Sequence, residues 1–137
     1  MSVDRFLDTN ILIYAYDLRE PTKQPIAQGL VEAGWTHLGQ TAISVQVLQE
    51  LHVNLGRLGM PQSEILKIIG DFSLWPVVES TMELFRAALD EHQRWQLSIW
   101  DAMILAAARA SRSSLLITED FNHGQDYGGV VVKNPFL

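Results

Sequence analysis

Residues 3–16 of the chain read VDRFLDTNILIYAY, an apolar segment that ends at an acidic residue and is followed by a second apolar segment. We interpret Val3 to Leu7 as a short buried strand because apolar residues dominate its second half. Ile11 to Tyr16 predicts a short helix that begins just after Asp8-Thr9-Asn10. A carboxylate at the junction of a strand and a helix is typical of sites in α/β proteins.

Further strands and helices alternate along the rest of the chain. The other strand candidates are residues 41–43, 74–78, 114–118 and 130–132. Helix starts are marked by Pro25, Ser44, Pro61, Ser80 with Glu83 as a capping box, and Ser98. Pro76 assigns the third strand to a sheet edge, since proline cannot donate to a ladder. This order predicts a parallel α/β sheet with helices on both faces.

Length and composition limit the class of protein. With 137 residues, 47% of them hydrophobic and 19% charged, the chain is expected to form a single domain over residues 1–137. A formal net charge of −6 argues against nucleic-acid binding by bulk positive charge. The absence of cysteine excludes disulfides and thiolate metal sites, and permits a reducing, cytoplasmic location. The longest apolar run, residues 102–108, is too short to span a membrane, and acids interrupt the N-terminal apolar stretch.

Four acidic residues are expected to meet at one edge of the sheet. Asp8 and Asp120 follow the first and fourth strands, so both lie at the carboxyl edge. Helices that run antiparallel to the strands begin at that edge, and Asp101 and Glu50 fall in the first and second turns of two such helices. No Lys or Arg lies within a helical turn of Glu50 or Asp101. A divalent cation is the simplest counter-ion for such a cluster, and oxygen ligands favour Mg²⁺ or Mn²⁺.

Each acid also has a structural interpretation, which the sequence leaves open. Asp8 is placed to cap the helix that follows it, and Asp101 fits a capping box with Ser98. Glu50 alone is compatible with a helix surface, and Asp120 with a turn. The histidines show no paired ligand spacing, so we expect them to lie at surfaces or interfaces.

The stretches that contain these acids resemble PIN-domain proteins, and in particular the VapC-type toxins of bacterial toxin–antitoxin pairs. The matching stretches are FLDTNILIY at 6–14, VLQEL at 47–51, SIWDAMILAAA at 98–108 and LITEDFNHG at 116–124. The resemblance implies a three-layer α/β/α sandwich with a five-stranded, mainly parallel sheet, and Mg²⁺- or Mn²⁺-dependent ribonuclease activity. Its acidic quartet corresponds to Asp8, Glu50, Asp101 and Asp120, and its supporting hydrogen-bonding residues to Thr9, Asn10 and Thr118.

The chemistry we expect is metal-assisted hydrolysis of an RNA phosphodiester. Asp8 and Asp101, with Asp120, are expected to hold one or two metal ions, and Glu50 to orient or deprotonate the attacking water. Arg109 and Arg112 are candidate phosphate contacts, and Glu119 and Asp17 are extra acids whose part is left open.

The expected partners are an RNA substrate, a cognate antitoxin and a second copy of the chain in a homodimer, the last two implied by the resemblance. Aromatic and apolar residues beside the acidic motifs are candidate anchors for such partners: Tyr14, Tyr16, Leu18, Trp95 and Trp100.

Two other functions remain as alternatives. A receiver-like phospho-accepting domain is also doubly wound and Mg²⁺-dependent, and Lys133 would mimic its lysine. That fold needs two acids after the first strand and an Asp at the end of the third, whereas the chain offers Asp8 alone and Glu79. The second alternative is a non-catalytic interaction domain whose acids act only as caps.

Overall fold

The computed structural model describes residues 2–137, which form five strands and six helices. The strands are β1 (Arg5–Leu7), β2 (Thr41–Ser44), β3 (Val77–Val78), β4 (Leu115–Ile117) and β5 (Val131–Lys133). The helices are α1 (Thr9–Tyr14), α2 (Lys23–Thr36), α3 (Val45–Arg57), α4 (Gln62–Phe72), α5 (Met82–Trp95) and α6 (Ile99–Ala110). All five predicted strands are present, although each is shorter than predicted or shifted by one residue at an end.

The strands form one sheet in the order β3-β2-β1-β4-β5, and every neighbouring pair is parallel. The predicted edge position of the Pro76 strand is confirmed, since β3 is an outer strand. The chain runs outward from β1 through β2 to β3 and then crosses to the other side of β1 for β4 and β5. The boundary between β1 and β4 is therefore the topological switch point, where ligand sites form in open α/β sheets.

This order separates the fold from the receiver-like alternative. Receiver-type domains use the order 2-1-3-4-5, in which the third strand lies beside the first. Here β4 lies beside β1, and β3 is at the far edge. The receiver-like interpretation is therefore wrong, because neither the strand order nor the positions of the acids match that fold.

The helices form two groups that cover the sheet. Helix α1 contacts α2 and α3, and α3 contacts α4, whereas α5 packs along α6. Both α3 and α6 contact β2. The main core contains the strand residues and apolar side chains of α1, α2, α3, α4 and α6, and a smaller cluster joins α5 to α6 through Leu84, Ala88, Ala102 and Ala106. The result is the predicted three-layer α/β/α sandwich.

Side-chain caps fix four of the helix starts, of which three involve a hydroxyl group. Ser44 and Ser98 cap α3 and α6 as predicted, by accepting hydrogen bonds from the backbone N–H groups of Val47 and Asp101. The predicted capping box from Ser80 is wrong, because Thr81 is the cap of α5 and accepts from the N–H of Leu84. Both residues have suitable hydroxyls, and the local pattern does not distinguish adjacent candidates.

Within residues 2–137, no helix combines the length and apolar character that crossing a membrane requires.

Candidate active site

Asp8 lies at the carboxyl end of β1 and is 4% exposed. It caps α1 because its Oδ1 accepts a 2.7 Å hydrogen bond from the N–H of Thr9, and its Oδ2 accepts a 2.8 Å bond from the hydroxyl of Thr118. Burial is the main cause that raises the pKa of Asp8 to about 7, with smaller contributions from the charges of Asp120 and Glu50. The predicted capping role of Asp8 is thus present together with its place in an acidic cluster.

Thr118 connects the two sides of the topological switch point. It follows β4, is fully buried, and donates across the β1–β4 boundary to Asp8. Its hydroxyl oxygen accepts from Asn10 Nδ2 at 3.1 Å and from the N–H of Asp120 at 3.0 Å. One donor and two acceptor positions are all that a hydroxyl offers, so this group is fully used. Thr118 therefore fixes the turn that contains Asp120 relative to Asp8.

Asn10 and Thr9 hold two further carboxylates in the cluster. The amide of Asn10 donates to Asp120 Oδ2 at 3.0 Å, and its own Oδ1 accepts from the N–H of Glu119 at 3.4 Å. The hydroxyl of Thr9 donates to Glu50 Oε1 at 3.0 Å, which connects α1 to α3. The three residues predicted to support the site therefore all contact its acids.

Asp101 lies in the first turn of α6 and is partly buried. Its backbone N–H donates to Ser98 Oγ at 3.1 Å, so the predicted cap is present. Burial and, to a lesser extent, the charge of Asp120 raise the pKa of Asp101. Asp101 is thus linked to the other acids through the charge of Asp120, and no side-chain hydrogen bond joins it to them among residues 2–137.

The four carboxylates form no ion pair with any cation in residues 2–137. In the same residues, no three His, Asp or Glu side chains lie close enough together to form a complete metal site. The set of donors, all of them oxygen, nevertheless suits a hard divalent cation such as Mg²⁺ or Mn²⁺.

The two extra acids are bound to cations instead. Glu119 Oε2 accepts from Lys23 Nζ at 2.9 Å, and its Oε1 accepts from the hydroxyl of Tyr14. Asp17 accepts from the guanidinium of Arg19 at 2.9 Å. Within residues 2–137, both acids therefore already have a cationic partner, unlike the four acids of the cluster.

Lys23 was not among the residues singled out from the sequence. Its ammonium group lies 4.7 Å from the ring centroid of Tyr14, in addition to its bond to Glu119. Because 96 residues separate Lys23 from Glu119, no local sequence pattern predicts this ion pair.

Arg109, proposed above as a phosphate contact, has a structural role. It forms two hydrogen bonds to the carboxylate of Glu91, at 2.8 and 3.1 Å, and donates to the carbonyls of Tyr127 and Gly128. Through these hydrogen bonds, the guanidinium of Arg109 holds α6 against α5 and against the loop before β5. Arg109 is therefore not available to bind a phosphate without losing them.

The predicted aromatic and apolar anchors divide by exposure. Tyr14, Tyr16 and Trp95 are half-buried against the main core. Leu18 is 84% exposed and Trp100 is 69% exposed.

Comparison with known proteins places this chain in a family. The family model for the PIN domain matches residues 5–125, and the chain therefore belongs to the PIN-domain family. No curated protein sequence matches it significantly.

Three solved structures illustrate the similarity. The toxin–antitoxin complex from Klebsiella pneumoniae aligns with a TM-score of 0.68 and 25% identity, covering 96% of this chain and 98% of that one. VapBC2 from Rickettsia felis, bound to a DNA fragment from its promoter, gives a TM-score of 0.66 and 17% identity over 96% and 98% of the two chains. VapC20 from Mycobacterium tuberculosis, described as a sarcin–ricin loop cleaving toxin, gives 0.56 and 20% over 82% and 87%. The predicted resemblance to VapC-type PIN toxins is confirmed.

Proposed function

We propose that this chain is a divalent-metal-dependent endoribonuclease and the toxin of a type II toxin–antitoxin pair. The family and the fold support a nuclease of this class. The observation that carries the proposal is the hydrogen-bonded cluster around Asp8 and Thr118 at the topological switch point, with Glu50, Asp101 and Asp120 coupled to it. Burying a carboxylate is costly unless it is hydrogen-bonded, paired or bound to a metal, and carboxylates with raised pKa values cluster at functional sites.

The acidic side chains have different roles in the proposed reaction. Asp8, Asp101 and Asp120 would hold the metal, either directly or through water. A bound Mg²⁺ or Mn²⁺ supplies positive charge beside the scissile phosphate and lowers the pKa of a coordinated water. Thr9 holds one oxygen of Glu50, which leaves Oε2 to orient the attacking water and accept its proton. The water oxygen bonds to phosphorus as the bond to the leaving ribose oxygen breaks, and that ribose oxygen takes up a proton from solvent.

The remaining assignments follow from this function. The whole chain, residues 1–137, acts as one domain, its substrate is RNA and its location is the cytoplasm, where that RNA is found. As in the complex from Klebsiella pneumoniae, an antitoxin binds it. A homodimer completes the assembly, as the resemblance to the family implies.

The central test compares RNA cleavage by the wild-type protein and Asp101→Asn, with and without Mn²⁺. We expect wild-type cleavage that depends on Mn²⁺, and a loss of at least about 100-fold in the variant because an amide is a poor ligand for a hard cation. In metal-free buffer the variant is expected to be at least as stable as wild type, since burial and Asp120 disfavour the charged form.

The non-catalytic alternative gives the opposite result. If Asp101 only supports the start of α6, its replacement costs roughly 0.3–1 kcal/mol of helix stabilisation and cleavage persists. An active but destabilised Asp101→Asn protein would remove this residue from the site. Wild-type protein that cuts no RNA at any Mn²⁺ concentration would contradict the nuclease assignment.

A further inference from the structure

Trp100 is a large aromatic residue that the fold leaves in solvent. It is the second residue of α6 and is 69% exposed. It packs in neither hydrophobic cluster and makes no contact with another aromatic ring among residues 2–137. The other three tryptophans, Trp35, Trp75 and Trp95, all pack against other rings. The exposure of Trp100 is therefore not explained by the core.

Its place in the chain and one hydrogen bond locate the backbone of Trp100 beside the acidic cluster. It directly precedes Asp101 in the chain, and its carbonyl accepts a 3.3 Å hydrogen bond from Gln46 Nε2. Gln46 lies four residues before Glu50 on α3, so the two share one face of that helix. Trp100 thus lies where the α3 face that carries Glu50 meets the start of α6.

The charge of the site determines how it can bind RNA. The chain has a net charge of −6, Lys23 is paired with Glu119, and Arg109 is paired with Glu91. Lys23 and Arg109 are thus already bound within the protein, and a polyanion at an acidic site gains from contacts that do not depend on charge. Base stacking on an aromatic face is such a contact, and it is open to every unpaired base.

We propose that Trp100 is a stacking platform for one unpaired nucleobase adjacent to the cleaved phosphate. This inference rests on the ribonuclease function proposed above. A paired base does not expose its face, so the platform selects against duplex at that position.

The test combines variants of Trp100 with a scan of abasic sites. A short single-stranded RNA that the wild-type protein cuts is prepared with one base removed at each position near the cut. For wild type, we expect one position where base removal raises KM by about 5-fold to 150-fold. Trp100→Ala is expected to raise KM by a similar factor on intact RNA and to be insensitive to base removal at that same position.

Matched variants separate stacking from general apolar contact. Trp100→Phe keeps an aromatic face and is expected to recover part of the affinity, whereas Trp100→Leu is not. Phe85→Ala removes another exposed aromatic side chain, on α5, and is expected to leave KM unchanged. Because Trp100 packs in neither core cluster, all its variants are expected to melt within a few degrees of wild type.

The outcomes distinguish this inference from the proposed function. If wild type cuts RNA but Trp100→Ala has an unchanged KM and the same abasic profile, the stacking role is wrong while the nuclease function stands. If Trp100→Ala instead shifts the sedimentation of the protein toward monomer with RNA cleavage unchanged, Trp100 serves a protein interface and the proposal is overturned. A wild-type protein that neither cuts nor binds RNA contradicts the proposed function itself.

Discussion

The hydroxyl of Thr118 is the point at which the two halves of the sheet join in the candidate site. It donates to Asp8 and accepts from Asn10 and from the N–H of Asp120, so three bonds converge on one oxygen. A buried network of this kind is stabilising only when each member has its partner. The geometry of the acids therefore depends on a residue that is not itself an acid.

Replacing Thr118 by valine tests this dependence. The shape is kept, but Asp8 Oδ2 retains only the 3.5 Å contact from Asn10, and the N–H of Asp120 loses its acceptor. We expect Thr118→Val to lower the free energy of unfolding by about 1–3 kcal/mol and to reduce cleavage, as measured by urea unfolding and RNA assay. Thr118→Ser keeps the hydroxyl and is expected to stay near wild type. Equal effects of the two variants would count against the hydrogen-bond argument.

The ionisation of Asp8 predicts how stability varies with pH. Its pKa rises from the ordinary 3.8 to about 7 on folding, mainly through burial. Between those values the folded protein binds more protons than the unfolded chain, so the free energy of unfolding falls as the pH rises through this window. We expect the metal-free melting temperature of wild type to drop between pH 5 and pH 7.5 relative to that of Asp8→Asn. Parallel profiles for the two proteins would show that Asp8 does not hold its proton in this way.

At the scale of the helices and strands, the predictions that are confirmed rest on local sequence signals. Ser44 and Ser98 are recognisable caps because a hydroxyl precedes an apolar helical stripe, and Pro76 identifies an edge strand because it lacks an N–H. Strand ends were misplaced by one to three residues, since alternation of side chains does not reveal where pairing stops. The Lys23–Glu119 and Arg109–Glu91 pairs join distant elements, so no sequence pattern pointed to them.

No sequence pattern predicts the packing of α2 against the segment after α4 either. Gly34 on α2 faces the buried ring of Trp75, which packs against Trp35 and Phe72. A Cβ added at Gly34 would lie 2.5 Å from two atoms of that ring. The indole of Trp75 can approach α2 this closely only because residue 34 is a glycine and has no side chain.

Two alanine substitutions on the same helix test this contact. Gly34→Ala forces the Trp75 ring to move and is expected to cost about 1–3 kcal/mol. Gly29→Ala meets no atom within 4 Å and is expected to stabilise the protein by up to about 1 kcal/mol through helix propensity. Thermal melts of both variants measure the difference. A Gly34→Ala protein as stable as Gly29→Ala would mean that the ring shifts without cost.

At the scale of the whole molecule, topology assembles the site from distant parts of the chain. The strand order puts β1 beside β4, so Asp8 and Thr118 touch although 110 residues separate them. Glu50 comes from α3 and Asp101 from α6, and both of these helices contact β2. Four separate segments must therefore be folded before the acids gather, which ties the cluster to the native state.

This dependence predicts a thermodynamic link between metal and folding. A cation that binds the assembled acids, but not the unfolded chain, stabilises the native state by about 2.7 kcal/mol at 100 times its dissociation constant. For a chain of this length, that corresponds to a rise of roughly 8–14 °C in melting temperature. We expect a titration with Mn²⁺ or Mg²⁺ to raise the melting temperature, and Asp8→Asn to weaken the response strongly.

A control acid outside the cluster shows whether the effect is local. Glu64 is an exposed residue in the first turn of α4, and Glu64→Gln removes the same charge while leaving the four acids intact. Its melting temperature should rise with Mn²⁺ as much as that of wild type. A general effect of cations on an acidic protein would instead be weakened equally by Glu64→Gln and Asp8→Asn, and a flat titration of wild type would contradict a metal site at the switch point. Repeating the titration at pH 5 and pH 7.5 adds a further check, because a proton on Asp8 competes with the metal and the response should be larger at the higher pH.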